Sequence, residues 1–217
     1  MRFTTSHPSD FTPEIVRAID STPVLCNHIH LPIQSGSNSM LARMRRTYNR
    51  ETYLAKIDCI RSAKRAISIS TDIIVGFCGE TEKDFEQTLS LLDEVEYDSI
   101  FSFKYSPRPI TAAGSWPDDV PESEKERRLA VLQERQREIQ MRRNQSLVGS
   151  AFEVLVDGFQ PRLQQAIGRT MSNRTINFPG EPGWVGDYMN VRVTAAGPNS
   201  VVGARIKDTS RDGDAKE

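Results

Sequence analysis

The chain has 217 residues, 37% hydrophobic and 26% charged, with 28 Lys plus Arg against 29 Asp plus Glu. That mix is too apolar for a disordered chain and too polar for a membrane protein, and no apolar run approaches the roughly 18 residues a spanning helix needs. A formal charge of −1 means that any nucleic-acid surface must be local.

The opening stretch has no apolar secretory core, and Cys26, Cys59 and Cys78 are scattered at spacings that fit neither a metal site nor a redox pair. Reduced thiols, a cytoplasmic location, no membrane partner and a monomer are expected. The length fits one large unit with a small companion, or a piece of something bigger.

In chain order, residues 2–6 read as a short polar strand ended by His7-Pro8, and Pro13 opens a helix with Ile15, Val16 and Ile19 on its apolar side. His28 to Gln34 alternates apolar and polar residues as a strand does. Ser37 is placed to cap a helix carrying Met40 and Leu41, and Asn49 to cap one carrying Leu54, Ile57 and Ile60. Ile67 to Val75 reads as a strand covered on both faces. Gly76 to Glu80 then turns into a helix with a capping box of Thr81 and Asp84, and Ile100 to Tyr105 is one more strand. Strands alternating with helices at this spacing predict an α/β unit with a parallel sheet.

Residues 119–147 read as a long charged surface helix anchored by Leu129, Leu132, Ile139 and Leu147. After Gly149 five short strands near 152–156, 166–169, 175–178, 190–194 and 201–207 predict a small antiparallel β-barrel of the kind that often binds oligonucleotides. Its basic residues Arg162, Arg169, Arg174, Arg192, Arg205 and Lys207 barely outnumber its acidic ones, so a purely structural barrel fits the counts equally well.

The chemistry-bearing positions gather at strand ends. Gly76, Gly79 and Glu80 form a βα turn whose backbone N–H groups suit an anionic or nucleoside ligand. Gln34-Ser35-Gly36 ends another strand, and Thr4 and Ser6 end the first, so parallel strands would bring these ends to one rim. His28 and His30 share a strand face, where a hydrogen-bonded structural role is expected over a metal site. Asp72, inside an apolar strand, either pairs with Arg or Lys or touches ligand. Arg43, Arg45 and Arg46 are placed to meet phosphates, and Phe101, Phe103 and Tyr105 are expected in the core.

Five segments occur in one order: residues 2–8 (RFTTSHP), 30–37 (HLPIQSGS), 44–48 (MRRTY), 72–81 (DIIVGFCGET) and 105–109 (YSPRP). Together they resemble the radical S-adenosylmethionine methylthiotransferases, most closely the MiaB type that modifies tRNA, and the tail after Gly149 resembles the TRAM module of these enzymes. The resemblance implies the C-terminal part of a radical-SAM (βα) barrel over 1–118, a connecting helix over 119–148, a TRAM-like β-barrel over 149–208 and a disordered tail over 209–217. It implies addition of a methylthio group to carbon 2 of an isopentenylated adenosine beside the tRNA anticodon, with tRNA and S-adenosylmethionine as partners and two 4Fe-4S clusters as further cofactors.

On the same basis Ser6, Gln34, Ser35, Gly36, Asp72, Gly76, Gly79 and Glu80 are expected at the S-adenosylmethionine rim, and Arg169, Arg174, Arg205 and Lys207 on RNA. The cluster-binding Cys-x-x-x-Cys-x-x-Cys motif of the family is not among these residues; Cys78 stands where the family usually has proline and Ile110 where it usually has glycine. The chain is therefore expected to be inactive alone. The competing readings are a non-catalytic RNA-binding TRAM module and a non-functional remnant.

Overall fold

The computed structural model describes residues 1–3 and 7–206. The chain divides into two compact units, Met1–Gln140 and Met141–Glu217.

In the first unit the order is α1 (Pro13–Ser21), β1 (His28–His30), α2 (Asn38–Arg43), α3 (Arg50–Arg61), β2 (Ser68–Val75), α4 (Glu82–Val95), β3 (Ser99–Lys104) and α5 (Glu122–Gln145), the last running on into the second unit. The three strands form one parallel sheet in the order β1-β2-β3, with His30 opposite Ser70 and Asp72 opposite Phe101. Each of α2, α3 and α4 starts where a side chain satisfies orphan N–H groups. Ser37 accepts from Met40 N, Asn49 from Thr52 N, and Thr81 with Asp84 forms a reciprocal capping box.

The period of two along β2 divides it into unlike faces. Ile69, Thr71, Ile73 and Val75 point into a core shared with Ile29, Leu31, Ile33, Tyr53, Phe85 and Leu92, all at or below 5% exposure. Burying each large apolar side chain there stabilises the fold by roughly 1.5–3 kcal/mol. The opposite face carries Ser68 and Ser70, which are buried, and Asp72 and Ile74, which are partly exposed, so it opens towards the carboxyl end of the strand. Phe101 and Phe103, expected in the core, are therefore 54% and 53% exposed. Alternation alone gives the face a side chain is on, not whether that face is covered.

Two further expectations are corrected. Only His28–His30 of the 28–34 segment joins the ladder; Pro32 has no N–H to give, and Gln34, at φ 76°, adds a single bridge to Ile73. Arg2 and Phe3 are in no strand, and the rest of that expected strand, residues 4–6, lies outside the described residues.

In α5 the buried stripe is more polar than its leucines imply: Lys125, Arg128, Leu132, Gln136 and Ile139 follow helical spacing and are all buried. Gln136 Nε2 donates to Tyr97 O at 2.9 Å, a hydrogen bond that makes its burial tolerable.

The second unit is a closed barrel of β4 (Ala151–Gln160), β5 (Gln165–Thr170), β6 (Thr175–Pro179), β7 (Tyr188–Ala196) and β8 (Val201–Arg205), in the order β4-β5-β6-β8-β7. Its core is Val154, Val156, Ala166, Ile176, Phe178, Val191, Val193 and Val201, from alternate positions along the strands. Irregularities between Val156 and Gly158 and between Val193 and Ala195 bend β4 and β7. The barrel is not wholly antiparallel: β8 closes it by pairing parallel with β6, Ile176 opposite Val201. The last expected strand ends at Arg205; Lys207 and the tail 209–217 lie outside the described residues.

Candidate functional site

The uncovered face of the sheet concentrates polar groups at one place. Both histidine rings use the hydroxyl of Ser70, His28 Nε2 at 3.0 Å and His30 Nδ1 at 2.9 Å. His30 Nε2 lies 3.4 Å from Asp72 Oδ1, and the edge of its ring meets Phe101 at a centroid distance of 5.8 Å. Burial, with the positive charge of Arg2 nearby, pushes His28 down to about 4, so this ring is neutral near pH 7.

Gln34 sits next to Asp72 through its main chain: Gln34 N donates to Asp72 O at 2.8 Å, and Ile74 N to Gln34 O at 2.9 Å. Gln34 is 7% exposed and its side-chain amide makes no hydrogen bond among the described residues. Its amide nitrogen and oxygen are not buried without a partner; they reach solvent, where a ligand can meet them.

The other expected rim residues are engaged by protein. Ser35 is fully buried against Thr88, and Gly36 N donates to Thr88 Oγ1 at 3.0 Å. In the 76–80 turn, Gly76 N donates to Glu80 Oε2 and Gly79 N to Asp119 Oδ1, both at 2.6 Å. Both glycines have positive φ, and a Cβ on either would meet a side chain, Lys125 at Gly76 and Arg43 at Gly79. Glu80 is 4% exposed and takes Arg128 Nη1 on Oε2 at 2.7 Å. Burial pushes its carboxyl up, against the hydrogen bonds from Arg128 and Gly76. The turn is thus held by protein partners except at Glu80 Oε1, which is buried without one, and of the expected rim residues Asp72 is partly exposed on the sheet face, with Gln34 beside it through its main chain. Ser6 lies outside the described residues.

Beyond the carboxyl ends of β2 and β3 lies a pocket of about 550 Å³. Arg43, Arg46 and Arg108 line it together with Phe77, Tyr105 and Trp116. Arg43 stacks on Trp116 at 5.2 Å and donates to Cys78 O at 3.0 Å. Arg108 lies in the 105–109 segment that carries the family resemblance, but no local pattern ties it to the 43–46 segment, and Trp116 does not stand out in the sequence. Arg128 and Lys125 escape a reading of α5 that follows its leucines, though their helical spacing with Leu132 is a usable signal.

On the barrel, Arg205 lies over Trp184 at 5.0 Å, and Trp184 stacks on Phe178. Arg169 is held by Asp157 at 2.8 Å, and Arg174 donates to Asn144 Oδ1. Arg205 presents its guanidinium with an aromatic plane beside it, whereas Arg169 and Arg174 already have protein partners. Lys207 lies outside the described residues.

The residues present do not fit an iron–sulfur cluster. Among the described residues no three His, Cys, Asp or Glu side chains converge, and Cys78 is 1% exposed within a cluster of Met40 and Phe77. Nor is any helix among the described residues long and apolar enough to cross a membrane.

Residues 1–92 match the model of the Radical SAM superfamily and residues 145–204 that of the TRAM domain. The tRNA-2-methylthio-N(6)-dimethylallyladenosine synthase of Solibacter usitatus is 59% identical over 94% of this chain and 46% of its own length. Those of Koribacter versatilis and Geobacter metallireducens are 53% and 50% identical, over 95% and 94% of this chain and 47% and 46% of theirs. The chain therefore spans about half the length of the curated relatives it matches. Among solved structures, coproporphyrinogen III oxidase from Escherichia coli, a radical SAM enzyme, aligns with a TM-score of 0.49 and 20% identity over 59% of this chain and 31% of that one.

Proposed function

We propose, from the matches of residues 1–92 to the Radical SAM superfamily and of residues 145–204 to the TRAM domain, that the chain is part of a tRNA methylthiotransferase acting on an isopentenylated adenosine. The single observation that carries this reading is the 59% identity to such an enzyme along 94% of the chain, through both domains.

The geometry supports a division of labour. The open sheet face is the place for S-adenosylmethionine. The free amide of Gln34 and the half-exposed carboxylate of Asp72 are suited to the hydroxyl, amino and ring-nitrogen groups of a nucleoside. His30 is fixed by Ser70 and Asp72 and is therefore pre-positioned rather than mobile. When bound and reduced, S-adenosylmethionine supplies a radical; these residues orient it, and the apolar rings of Phe101 and Phe103 limit water around it. No group of side chains among the described residues could hold a cluster. Arg205 and Trp184 on the barrel are suited to a phosphate and an unstacked base.

Titrating the full chain with a labelled anticodon stem–loop RNA at several salt concentrations tests the reading. It predicts binding whose log affinity falls linearly with log salt, because phosphate contacts release counterions. Absence of binding at low salt would contradict it.

A further inference from the structure

The hydrogen-bonded chain along β1 and β2 has a direction that its geometry fixes. It runs His28, Ser70, His30, Asp72. His28 Nε2 and His30 Nδ1 lie 3.0 and 2.9 Å from the one hydroxyl of Ser70, and His30 Nε2 lies 3.4 Å from Asp72 Oδ1. Register sets this order, because His30 stands opposite Ser70 across the parallel pair and Asp72 follows two residues along β2 on the same face. Burial falls along the path. Ser70 is 1% exposed and His28 7%, whereas the side chains of His30 and Asp72 are 17% and 31% exposed.

A neutral imidazole has one donor and one acceptor nitrogen. His28 is neutral near pH 7, being pushed down to about 4 by burial, and its Nδ1 is buried and meets no partner. A buried N–H without an acceptor is tolerated less than an unused lone pair. The proton of His28 therefore belongs on Nε2, which donates to Ser70. The Ser70 hydroxyl then has one proton to give, and among the described residues His30 Nδ1 is its one remaining partner. His30 Nδ1 accepts it, so the proton of that ring stands on Nε2, facing Asp72.

The other assignments each fail at one atom. Reversing both Ser70 bonds puts an unanswered proton on buried His28 Nδ1. A proton on His30 Nδ1 alone turns the Nε2 lone pair towards a carboxylate oxygen. Protons on both His30 nitrogens leave the buried Ser70 hydroxyl with no acceptor. Because His28 Nδ1 has no onward partner, the chain cannot carry a proton through; it orients instead. Phe101, whose ring meets that of His30 at 5.8 Å, holds the imidazole from the side.

We infer that Ser70 is a positioning residue for the reaction: its hydroxyl fixes His30 as the Nε2–H tautomer, and that N–H holds Asp72 Oδ1 so that the second carboxylate oxygen is left to accept from a ligand O–H or N–H. This rests on the function proposed above and adds to it two residues, Ser70 and His28, that act without touching the ligand.

NMR of the ring nitrogens in the full chain reads the tautomers directly, and a total of 3 histidines keeps the spectrum simple. At pH 7 the wild type is expected to show His28 and His30 protonated at Nε2 alone, with His28→Gln and His30→Gln identifying the signals. In Ser70→Ala the His30 signal is expected to average between the two tautomers, and Ser70→Thr, which keeps the hydroxyl, to restore one. A proton on Nδ1 of either ring in the wild type, or a His30 tautomer unmoved by Ser70→Ala, overturns the inference.

Activity gives the second readout, in a chimera that carries this chain in place of the matching segment of the Solibacter usitatus enzyme. Ser70→Ala is expected to lower kcat for tRNA methylthiolation about tenfold, and Ser70→Thr to recover most of it. Added to His30→Gln, Ser70→Ala is expected to cost nothing further, since the hydroxyl acts through the ring; additive losses would show that Ser70 only packs. If Ser70→Ala is as active as wild type, the positioning role is wrong and the methylthiotransferase reading stands. If the soluble, cluster-loaded wild-type chimera modifies no tRNA, both fall.

Discussion

Arg128 holds Glu80 at two points: its Nη1 donates 2.7 Å to the carboxylate Oε2 and 2.9 Å to the main-chain carbonyl. Both side chains are buried, at 6% and 0% exposure. The guanidinium locks the 76–80 turn onto α5, so a glutamate that a sequence motif marks for ligand contact is held in a structural pair.

Removing one partner of such a pair leaves a buried charge. Arg128→Met is expected to destabilise the fold by about 3–5 kcal/mol. Glu80→Gln/Arg128→Met, which removes both charges, should recover much of that loss. Urea unfolding of the two variants checks it; equal losses would show that the guanidinium acts only by packing.

Gly36 is required by packing. A Cβ there would stand 2.5 Å from Gln87 O and 2.6 Å from Thr88 Cα, both main-chain atoms of α4 that cannot yield. Gly36→Ala is expected to cost about 1–3 kcal/mol, whereas Gly183→Ala, with nothing within 4 Å, should be nearly neutral. Thermal melts of the two variants provide the comparison.

Arg45 occupies a left-handed position that penalises a side chain by roughly 1–2 kcal/mol, partly offset in glycine by its greater freedom when unfolded. Arg45→Gly should therefore stabilise the first unit by about 0.5–1 kcal/mol in urea unfolding. A less stable variant would show that the arginine side chain contributes more to folding than the left-handed backbone costs.

His28 gives a pH signature. Its ring titrates at about 4 in the fold, against 6.5 without burial. Between those values the unfolded chain takes up a proton that the native state does not, so stability falls as pH drops from 7 towards 4, by roughly 3 kcal/mol. Asp84 acts lower: burial pushes its carboxyl up, but hydrogen bonds from Ser37, Ser39 and Thr81 outweigh this and hold it at about 2, so its contribution is lost below pH 4. Stability measured at pH 4, 5.5 and 7 for wild type and His28→Gln should show the upper decline only in wild type.

The secondary structure was legible where the signal is local. Ser37, Asn49 and the Thr81–Asp84 box mark helix starts because a cap needs only neighbours three residues away. The exposure of Phe101 and Phe103 was not legible, because it depends on what lies across the sheet rather than on β3 itself. The parallel β6–β8 pairing was hidden for the same reason: closure of the barrel is a property of all five strands. Of the site, Gln34 and the arginines at 43–46 stand at strand and helix ends, where parallel sheets expose chemistry, and Asp72 is legible as a carboxylate inside an apolar strand. Arg108 and Trp116 join the pocket from a separate loop, and no periodicity connects that loop to α2.

The most direct measurement replaces the matching segment of the Solibacter usitatus enzyme with this chain and analyses tRNA from cells that lack their own methylthiolation. The account predicts 2-methylthio-isopentenyladenosine in that tRNA by mass spectrometry, and its loss when Asp72 is changed to Asn. A soluble, cluster-loaded chimera that leaves the isopentenyladenosine without its methylthio group, or one equally active as Asp72→Asn, would contradict it.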